Sequence, residues 1–464
     1  MRLMGSEAEY SVSSTMVHAD IAATNLAKGS SLPAGIDRLG TRKEYLSNGA
    51  RFYLDHGSHP EYCSPETYGA LESTISEFAG IEVVRAAANN LRAQIDESLG
   101  EDQESDLRVF RRVSDGSMQS AGHHINLRVK RELCMTQDGL APQLAHMIGG
   151  TILFGAGCVR RQGVFTLSQK GPHISDLTDL GTTSSSKPLI NLRDEPLDNK
   201  TRWRRLHITG NDSLFSPWAT WLRNATFDIV LSYCESQPDQ AKELSQYIPI
   251  NLRAALRAIN SDPERRVTLK SYKTIKAKDM EWALFEKVIE AFKRGDLQED
   301  KLGEESVVAF DEWQWALESD DARIRKLVDW RLRSVVHKKM DAKFGGEVTD
   351  ERRLRDISLD DVLKRTPMAN LFQNTLFNAG LERLAIVFDT TEEDLRARID
   401  DRVTVAPIGR ASVRGAFIKE HKGKNFNINW EGARDNEDGP HETFQFTDDG
   451  LAPGKPAPFR KSLI

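Results

Sequence analysis

Hydrophobic and polar positions follow two different periods in the first half of the chain. Residues 3–13 and 50–54 alternate as half-buried strands do, whereas residues 72–99 carry a long helical pattern with little Gly or Pro. Two further strand patterns, at residues 107–113 and 125–129, flank a turn rich in Ser and Gly. Together they predict an antiparallel or mixed sheet with helices packed on one side.

The pattern becomes predominantly helical between residues 240 and 391. Asp279 is the expected N-cap of one of these helices and Gly295 its expected end. Large apolar side chains recur between them at helical spacing: Trp282, Phe285, Ile289 and Phe292. We interpret this stripe as a face that packs into the core rather than as a cofactor-binding face.

Beyond about residue 400 the pattern returns to short strands separated by Gly, Asn and Asp. We therefore predict two domains, residues 1–395 and residues 396–464, of which the second is small. Residues 450–458 are rich in Gly and Pro, and we predict an irregular tail there.

Composition narrows the functional classes. The net charge of -6 argues against a general nucleic-acid-binding protein, for which a basic surface is expected. The four cysteines are widely separated and form no CxxC pair. Because we find neither a signal peptide nor an apolar run long enough to cross a bilayer, we expect a cytoplasmic protein without a membrane partner. The oligomeric state is left open.

Acidic side chains are concentrated near the N-terminus. In an extended strand, Glu7 and Glu9 point the same way, about 7 Å apart along the chain. A second strand leads into a turn, which would project Asp55, His59 and Glu61 from one end of a sheet. Mg²⁺ takes oxygen ligands and bridges carboxylates to phosphates, so we expect Glu7, Glu9 and Glu61 to hold a metal against a nucleotide, with Asp55 beside it for base chemistry. The alternatives are an ordinary amphipathic strand and a surface turn with solvated acids.

Histidine and arginine side chains supply the next candidates. A loop rich in Gly and Ser ends in His123 and His124, of which only one can face a metal or phosphate because neighbours on a strand point oppositely. The arginines of residues 191–196 and 203–207 suit phosphate oxygens, with surface ion pairs as the alternative. The sequence has no P-loop or Rossmann fingerprint, so a nucleotide would have to be held by metal and arginines. Cys63 is a conceivable thiol nucleophile, although no base is evident for it.

Several motifs, in order along the chain, resemble one known family. Residues 5–10, GSEAEY, resemble its opening G-x-E-x-E-[FY], and residues 51–66, RFYLDHGSHPEYCSPE, resemble its strand and turn. INLRDEP at residues 190–196 and RRLHI at residues 204–208 are similar to its arginine-bearing segments, and VRGAFI at residues 413–418 is similar to its C-terminal domain. The family is that of the Pup ligase and the Pup deamidase/depupylase, in the carboxylate-amine ligase superfamily of glutamine synthetase.

The resemblance implies a fold and a set of site residues. The fold would be α+β, with a glutamine synthetase-like curved antiparallel β-sheet that is backed by helices and cradles ATP (or ADP) and Mg²⁺ within residues 1–395. A small C-terminal α/β domain, residues 396–464, would lie beside the groove that receives Pup. Asp55 becomes the catalytic aspartate. The implied metal ligands are Glu7, Glu9, Glu61, Tyr53 and His124, and the implied nucleotide contacts are Arg193, Arg205, Ser58 and His59.

Two positions depart from the family's pattern. Ile125 stands where the family usually has the Glu of His-Glu-Asn, and Pro217 aligns with an acidic residue that usually follows the RLH segment. We therefore expect an altered metal and nucleotide site, in which ATP turnover is the property most affected.

The family runs two related reactions. The ligase joins the side-chain carboxylate of Pup's C-terminal glutamate to a substrate lysine through a γ-glutamyl phosphate, and the depupylase hydrolyses that isopeptide bond with the nucleotide as a cofactor. Hydrolysis tolerates an imperfect phosphoryl-transfer site better than in-line transfer does. We therefore predict a depupylase of the Pup-proteasome system, with Pup or a Pup-like modifier and pupylated proteins as partners. The alternatives are the ligase, a non-catalytic Pup- or nucleotide-binding homologue, and a small-molecule carboxylate-amine ligase.

Overall fold

The structure is a computed structural model. It describes residues 1–37, 43–100, 103–114, 120–160, 163–181, 186–195, 198–297, 303–344, 349–422, 424, 426–435, 443–447 and 450–453. The strands within them are β1 (Leu3–Glu9), β2 (Ser11–Ser13), β3 (Ala34–Asp37), β4 (Lys43–Leu46), β5 (Arg51–Asp55), β6 (His59–Cys63), β7 (Thr67–Tyr68), β8 (Arg108–Phe110), β9 (His123–Lys130), β10 (Cys158–Val159), β11 (Phe165–Thr166), β12 (Asp176–Asp179), β13 (Pro188–Asn191), β14 (Trp203–Ile208), β15 (Arg266–Thr268), β16 (Thr274–Lys276), β17 (Phe426–Ile428), β18 (Gly432–Asp435), β19 (Thr443–Thr447) and β20 (Gly450–Pro453). The α-helices are α1 (Ala19–Lys28), α2 (Ala70–Leu99), α3 (Ala141–Gly149), α4 (Thr151–Phe154), α5 (Pro217–Ser236), α6 (Pro238–Glu243), α7 (Leu252–Ser261), α8 (Ala277–Lys293), α9 (Glu304–Glu318), α10 (Asp321–Ile324), α11 (Asp329–Phe344), α12 (Thr349–Ser358), α13 (Pro367–Val387), α14 (Glu392–Thr404) and α15 (Arg410–Glu420).

A ten-stranded sheet forms the centre of the molecule, in the order β12-β13-β14-β9-β1-β6-β5-β4-β3, with β7 also paired to β1. Strands β12 and β13 run parallel, whereas the neighbours on either side of β1 run antiparallel to it. Helices α1, α2 and α5 pack against this sheet, and its buried apolar side chains belong to the same core as theirs. The predicted α+β fold is confirmed.

Close packing between α2 and the sheet depends on a missing side chain. A Cβ at Gly80, in the middle of α2, would lie only 2.3 Å from the Tyr62 ring on β6. Much of the remaining buried face of α2 consists of Ala, Ser and Thr side chains. Small side chains therefore let the helix approach the back of the sheet.

Helix α8 differs from the prediction at one end. It begins at Ala277 after the N-cap Lys276, so Asp279 lies in the first turn, where its carboxylate favours the positive end of the helix dipole. The prediction of Asp279 as the N-cap is wrong. The predicted end is confirmed, because Gly295 follows the helix in the left-handed region, with φ 74°. Phe285, from the predicted stripe, is buried in the core.

The predicted strand at residues 107–113 and the predicted irregular tail at residues 450–458 also differ from the structure. Residues 107–113 contribute only the short β8, which pairs with β2 in a separate two-stranded sheet. The predicted irregular tail is wrong for Gly450–Pro453, because these residues form β20 and pair with β19. Residues 454–458 lie outside the described residues.

The C-terminal part of the chain has its own apolar cluster. Helix α15 and strands β17 to β20 surround Phe417, Phe426, Ile428 and Phe446, and Tyr45 of the central sheet packs into the same cluster. The domain boundary predicted after residue 395 falls inside α14, which packs against α2. Among the described helices, none has the length and apolar character that a membrane span requires.

Candidate active site

The face of the central sheet opposite α2 opens into a groove of about 1200 Å³. Glu7 and Glu9 line this groove, and Ala8, which lies between them on β1, is buried in the core on the other face of the strand. The predicted common face of the two glutamates is therefore the groove face.

Only one of the two adjacent histidines faces the groove, as predicted. His124 lines it, whereas His123 is fully buried with its Nε2 2.9 Å from Glu77 of α2. Burial lowers the pKa of His123 to about 4, although the carboxylate of Glu77 opposes the shift. Residues 115–119 of the preceding loop lie outside the described residues.

Glu7 is surrounded by nitrogen atoms. Its Oε2 lies 3.0 Å from His124 Nδ1 and 3.4 Å from His207 Nε2, and its Oε1 accepts a hydrogen bond from Asn126 Nδ2 at 2.8 Å. Strand register explains the cluster, since Glu7 lies opposite His124, and His207 lies opposite Asn126. Burial raises the pKa of Glu7, but the two histidines outweigh it and hold the pKa well below its ordinary value.

Glu7, His124 and His207 fit a divalent cation. One ligand atom from each of them lies within 4.8 Å of the other two. Imidazole nitrogen suits ions such as Zn²⁺ and Fe²⁺, whereas the carboxylate oxygens of Glu7 and its neighbours also suit Mg²⁺ and Mn²⁺. His207 is missing from the predicted ligands. Its signal is in the sequence, because alternation along β14 puts it on the same face as Arg205.

Glu9 meets a different imidazole. Its Oε2 lies 2.9 Å from His59 Nδ1, and its backbone amide donates to the Gly122 carbonyl at 3.0 Å. Burial raises the pKa of Glu9, but the hydrogen bond with His59 and the charge of His124 outweigh it, so the pKa lies below its usual value. His59, predicted to contact the nucleotide, is thus a partner of a predicted metal ligand.

Glu61 is a buried carboxylate among other carboxylates. It lies opposite Tyr53 in the β5–β6 pair, and the two side chains share a hydrogen bond. Burial, followed by the negative charges of Glu7, Asp55 and Glu9, raises the pKa of Glu61 well above its usual value. A bound cation would relieve this repulsion. The residues here therefore also fit a divalent cation, although Glu61 and Glu9 do not belong to the compact set around Glu7.

Asp55 ends β5 and lines the groove. Its side chain is 32% exposed, compared with 12% for Glu9, and its Oδ1 lies 3.5 Å from His56 Nδ1. Alternation places it on the same face as Tyr53. An accessible carboxylate in this position can accept a proton from a group carried by a large substrate.

The two predicted phosphate-binding arginines meet at one carboxylate. Arg193 pairs with Glu195, and Arg205 Nη2 lies 3.1 Å from the same carboxylate. Arg205 Nη1 also lies 3.8 Å from Glu7 Oε1. Both arginines also line the groove. The ion-pair alternative and the predicted groove position therefore both hold for each arginine.

The turn between β5 and β6 uses two residues in the left-handed region, Gly57 with φ 79° and Ser58 with φ 60°. His56, Gly57 and His59 are among the described residues that line the groove, and Ser58 is not. The structure therefore places the turn at the groove without placing the Ser58 side chain in it.

Lys170 is a further candidate that the sequence analysis missed. It is buried beside a recess of about 30 Å³ that Glu9, His124 and Lys187 also line. Asp212 fixes its backbone amide at 2.7 Å. Burial, and then the charge of Lys187, lower the pKa of Lys170 to about 8.

Comparison with known proteins establishes the family. A family model described as Pup-ligase protein matches residues 2–434. The chain belongs to the Pup-ligase family. A Pup–protein ligase of Bifidobacterium animalis subsp. lactis (strain AD011) is 30% identical over 449 residues, which cover 92% of this chain and 86% of the relative. A Pup–protein ligase of Mycolicibacterium smegmatis (strain ATCC 700084 / mc(2)155) is 29% identical over 402 residues, which cover 83% of this chain and 82% of the relative.

Solved structures of the ligase PafA share the fold of this family member. The complex between the prokaryotic ubiquitin-like protein Pup and its ligase PafA matches with a TM-score of 0.73 and 21% identity, over 96% of this chain and 87% of that chain. PafA in complex with ADP matches with a TM-score of 0.68 and 22% identity, over 88% of this chain and 87% of that chain.

Family membership confirms the predicted resemblance and the prediction of an enzyme of the Pup-proteasome system. The relatives named above are ligases. The ligase alternative is therefore better supported than the depupylase that we predicted from the sequence.

The two departures from the family pattern lie in the core of this Pup-ligase family member. Ile125 is fully buried opposite Ser6 and Ile208, on the side of the sheet that faces away from the groove. Pro217 is buried at the first position of α5, where a missing N–H costs little. A Cβ at Gly380 would lie 2.6 Å from the Pro217 ring. Neither side chain is among the described residues that line the groove, and the expectation that they alter the metal and nucleotide site stays a prediction.

Cys63 does not fit the role of a nucleophile. It is buried on β6, and burial, followed by the charges of Glu61 and Glu7, raises the pKa of its thiol well above the usual value. The reactive form of a cysteine is the thiolate, which this environment disfavours.

Proposed function

We propose that this protein is an ATP-dependent Pup–protein ligase. It would join the side-chain carboxylate of the C-terminal glutamate of Pup to a lysine of a protein substrate, with ATP and Mg²⁺ in the groove. The names of the relatives support the ligase, and the ADP complex of PafA supports the nucleotide.

One observation carries the proposal in the structure. An accessible carboxylate, Asp55, lines the same groove as the acidic cluster of Glu7, Glu9 and Glu61, of which Glu61 is buried. The cluster fits a cation that would screen the phosphates of a nucleotide. Such a ligase must activate a carboxylate with phosphate and deprotonate an amine. The acidic cluster suits the first task, and Asp55 suits the second.

The proposed reaction consumes one ATP and releases ADP and phosphate for each amide bond. A divalent cation would supply charge neutralisation of the phosphates. Arg193 and Arg205 would bind phosphate oxygens, since guanidinium groups suit them. Their present ion pairs with Glu195 would then be replaced by contacts with the nucleotide. Asp55 would accept a proton from the lysine ammonium and so free the nitrogen lone pair, which would attack the carbonyl carbon of the γ-glutamyl phosphate while the C–O bond to the phosphate breaks and phosphate leaves.

The test is a reconstitution with purified protein, Pup ending in glutamate, ATP, Mg²⁺ and a lysine-bearing protein. We expect a covalent Pup conjugate and ADP. Asp55→Asn should lower the rate of conjugation by about 10² to 10⁴-fold, the usual contribution of a positioned base, and leave ATP binding intact. Asp239→Asn is a matched control, since Asp239 is an exposed carboxylate paired with Lys242.

The predicted depupylase is measured in the same experiment with a purified pupylated protein as substrate. Release of free Pup without any conjugation from Pup and ATP would contradict the ligase proposal. Conjugation at the wild-type rate by the Asp55→Asn protein would remove Asp55 from the mechanism.

A further inference from the structure

The motif VRGAFI, at residues 413–418, is not part of the acidic cluster and does not line the groove, yet its arginine bonds to Glu66 and Trp430, which do. It lies in helix α15, and its arginine, Arg414, is fully buried. Buried arginines are rare because desolvation of the charge is costly unless the guanidinium is fully hydrogen-bonded. The partners of Arg414 therefore indicate what the motif does.

The Arg414 guanidinium joins three separate parts of the chain. Nη1 and Nη2 donate to the two carboxylate oxygens of Glu66, at 3.0 and 2.6 Å. Nη2 also donates to the Gly49 carbonyl at 2.6 Å, and Nη1 to the Trp430 carbonyl at 3.1 Å. Arg410 Nε adds a bond to Glu66 at 2.8 Å. Burial raises the pKa of Glu66, but the two arginines outweigh it and lower the pKa to about 2, so this carboxylate stays ionised.

The neighbouring glycine explains why the helix can reach these partners. A Cβ at Gly415 would lie 2.3 Å from the Ser47 carbonyl oxygen. Helix α15 therefore packs directly on the turn between β4 and β5. This turn needs Gly49 in the left-handed region, with φ 82°, and a Cβ there would lie 3.0 Å from Ala411. The Arg-Gly pair of the motif thus docks the C-terminal helix onto the central sheet.

Arg414 also fixes the ring of Trp430. Its guanidinium carbon lies 4.6 Å from the ring centroid, and the Tyr45 ring meets the Trp430 ring edge-on at 5.4 Å. Trp430 lines the groove. Trp203 also lines it, but two arginines, Arg128 and Arg202, already lie near that ring, at 4.5 and 5.6 Å. Among the described tryptophans of the groove, Trp430 is therefore the better platform for a flat ring.

We propose that Arg414 and Glu66 are positioning residues that hold Trp430 as a wall of the groove and so set its affinity for the aromatic base of the nucleotide. The inference rests on the proposed ATP-dependent function. Arg414 does not itself reach the ligand, because it is fully buried, and it acts through Trp430.

The test compares Arg414→Lys with the wild-type protein. Lysine keeps the charge, but it cannot form two parallel bonds to Glu66 or lie flat against Trp430. We expect the Kd for ATP, measured by calorimetry with Mg²⁺, and the KM for ATP in the conjugation assay each to rise about tenfold, by analogy with the lower end of the loss caused by changing residues that orient metal ligands. The kcat for conjugation should change less than about threefold, because the Asp55 region is intact.

Two further variants separate positioning from stability. Arg402→Ala removes a comparable ion pair, since Arg402 joins α14 to Glu72 and Ser76 of α2 at 2.6 and 2.8 Å. We expect it to lower the Tm without changing the Kd for ATP. Trp430→Ala should raise the Kd as Arg414→Lys does, and the double variant should add little, because both changes remove the same wall.

The outcomes are distinct. Wild-type ATP affinity in the Arg414→Lys protein overturns the inference, and so does a loss of kcat at unchanged KM or an equal loss of affinity in the Arg402→Ala protein. Absence of conjugation by the wild-type protein contradicts the ligase proposal alone, since the calorimetric comparison needs only ATP binding.

Discussion

His207 should contribute directly to cation binding, because its Nε2 and His124 share the carboxylate of Glu7. His207→Ala removes one of three convergent ligands and leaves the strand intact. We expect the affinity for Mn²⁺ in the absence of nucleotide to fall by at least about tenfold, because even groups that only support metal ligands contribute that much. Calorimetry or the electron paramagnetic resonance signal of free Mn²⁺ measures this affinity.

His18→Ala is the matched control for that prediction. The His18 side chain is 71% exposed and its Nδ1 lies 3.6 Å from Asp20, outside the groove. Its loss should leave Mn²⁺ affinity unchanged. Equal Mn²⁺ affinity in the wild-type and His207→Ala proteins would show that the imidazole serves only to hydrogen-bond Glu7.

Side-chain direction along a strand could be predicted from the sequence, and side-chain partners could not. Alternation correctly places Glu7 and Glu9 on one face and separates His124 from His123. Which imidazole meets which glutamate depends on the register between β1, β6 and β9, and register is set by contacts between residues far apart in sequence. The sequence therefore predicted the candidate residues, but it did not predict the set of Glu7, His124 and His207.

At the scale of helices and strands, the contact between α2 and β6 makes Gly80→Ala informative. Helix propensity and core packing predict opposite effects of this change on stability. Helix propensity alone favours Gly80→Ala by about 1 kcal/mol. The new Cβ, however, would lie 2.3 Å from the Tyr62 ring, and overpacking of a core commonly costs about 1 to 3 kcal/mol. We expect packing to dominate, so the Gly80→Ala protein should have a lower free energy of unfolding, measured with chemical denaturant.

A double variant provides the control. Tyr62→Leu removes the ring that the new methyl group meets, so Gly80→Ala should cost less in the Tyr62→Leu background than in the wild-type background. If Gly80→Ala raises the free energy of unfolding, or costs the same in both backgrounds, the contact with Tyr62 does not limit the approach of α2.

Local signals predicted which elements exist better than they predicted the partners of those elements. The long helix α2 and the end of α8 at Gly295 follow from helical period and glycine chemistry. Strand β8 pairs with β2 rather than with the central sheet. This pairing depends on contacts between residues far apart in sequence, and no local sequence pattern indicates it. The motif position of Ile125 suggests a role in the site, whereas its place on β9 makes it a core residue.

For the molecule as a whole, the groove combines an acidic floor with a basic side. Glu7, Glu9 and Glu61 lie on β1 and β6, and the arginines of β14 and of the segment after β13 line the other side. A nucleotide bearing a cation and phosphates is complementary to this separation of charge. The C-terminal helix and sheet add Arg410 and Trp430 to the lining of the same groove, so both parts of the chain build it.

The position of α14 bears on where those two parts divide. Leu395 and Ile399 of α14 are buried, the helix packs against α2, and Arg402 bonds to Glu72 and Ser76 there. Helix α15 packs mainly with the C-terminal strands, and it also meets β3 and β4 of the central sheet. We propose that the division lies after Thr404 rather than after residue 395.

Two shortened proteins test this division. Both a chain ending at Leu395 and a chain ending at Thr404 lack α15 and the C-terminal sheet, so they differ only in the second part of α14. Burial of one large aliphatic side chain such as Ile399 contributes roughly 1.5 to 3 kcal/mol, and the longer chain also keeps the Arg402–Glu72 pair. The longer protein should therefore have a Tm a few degrees higher by circular dichroism and should remain monodisperse at concentrations where the shorter protein aggregates. Equal Tm values would show that residues 396–404 contribute nothing to the main unit, and the original division after residue 395 would then stand.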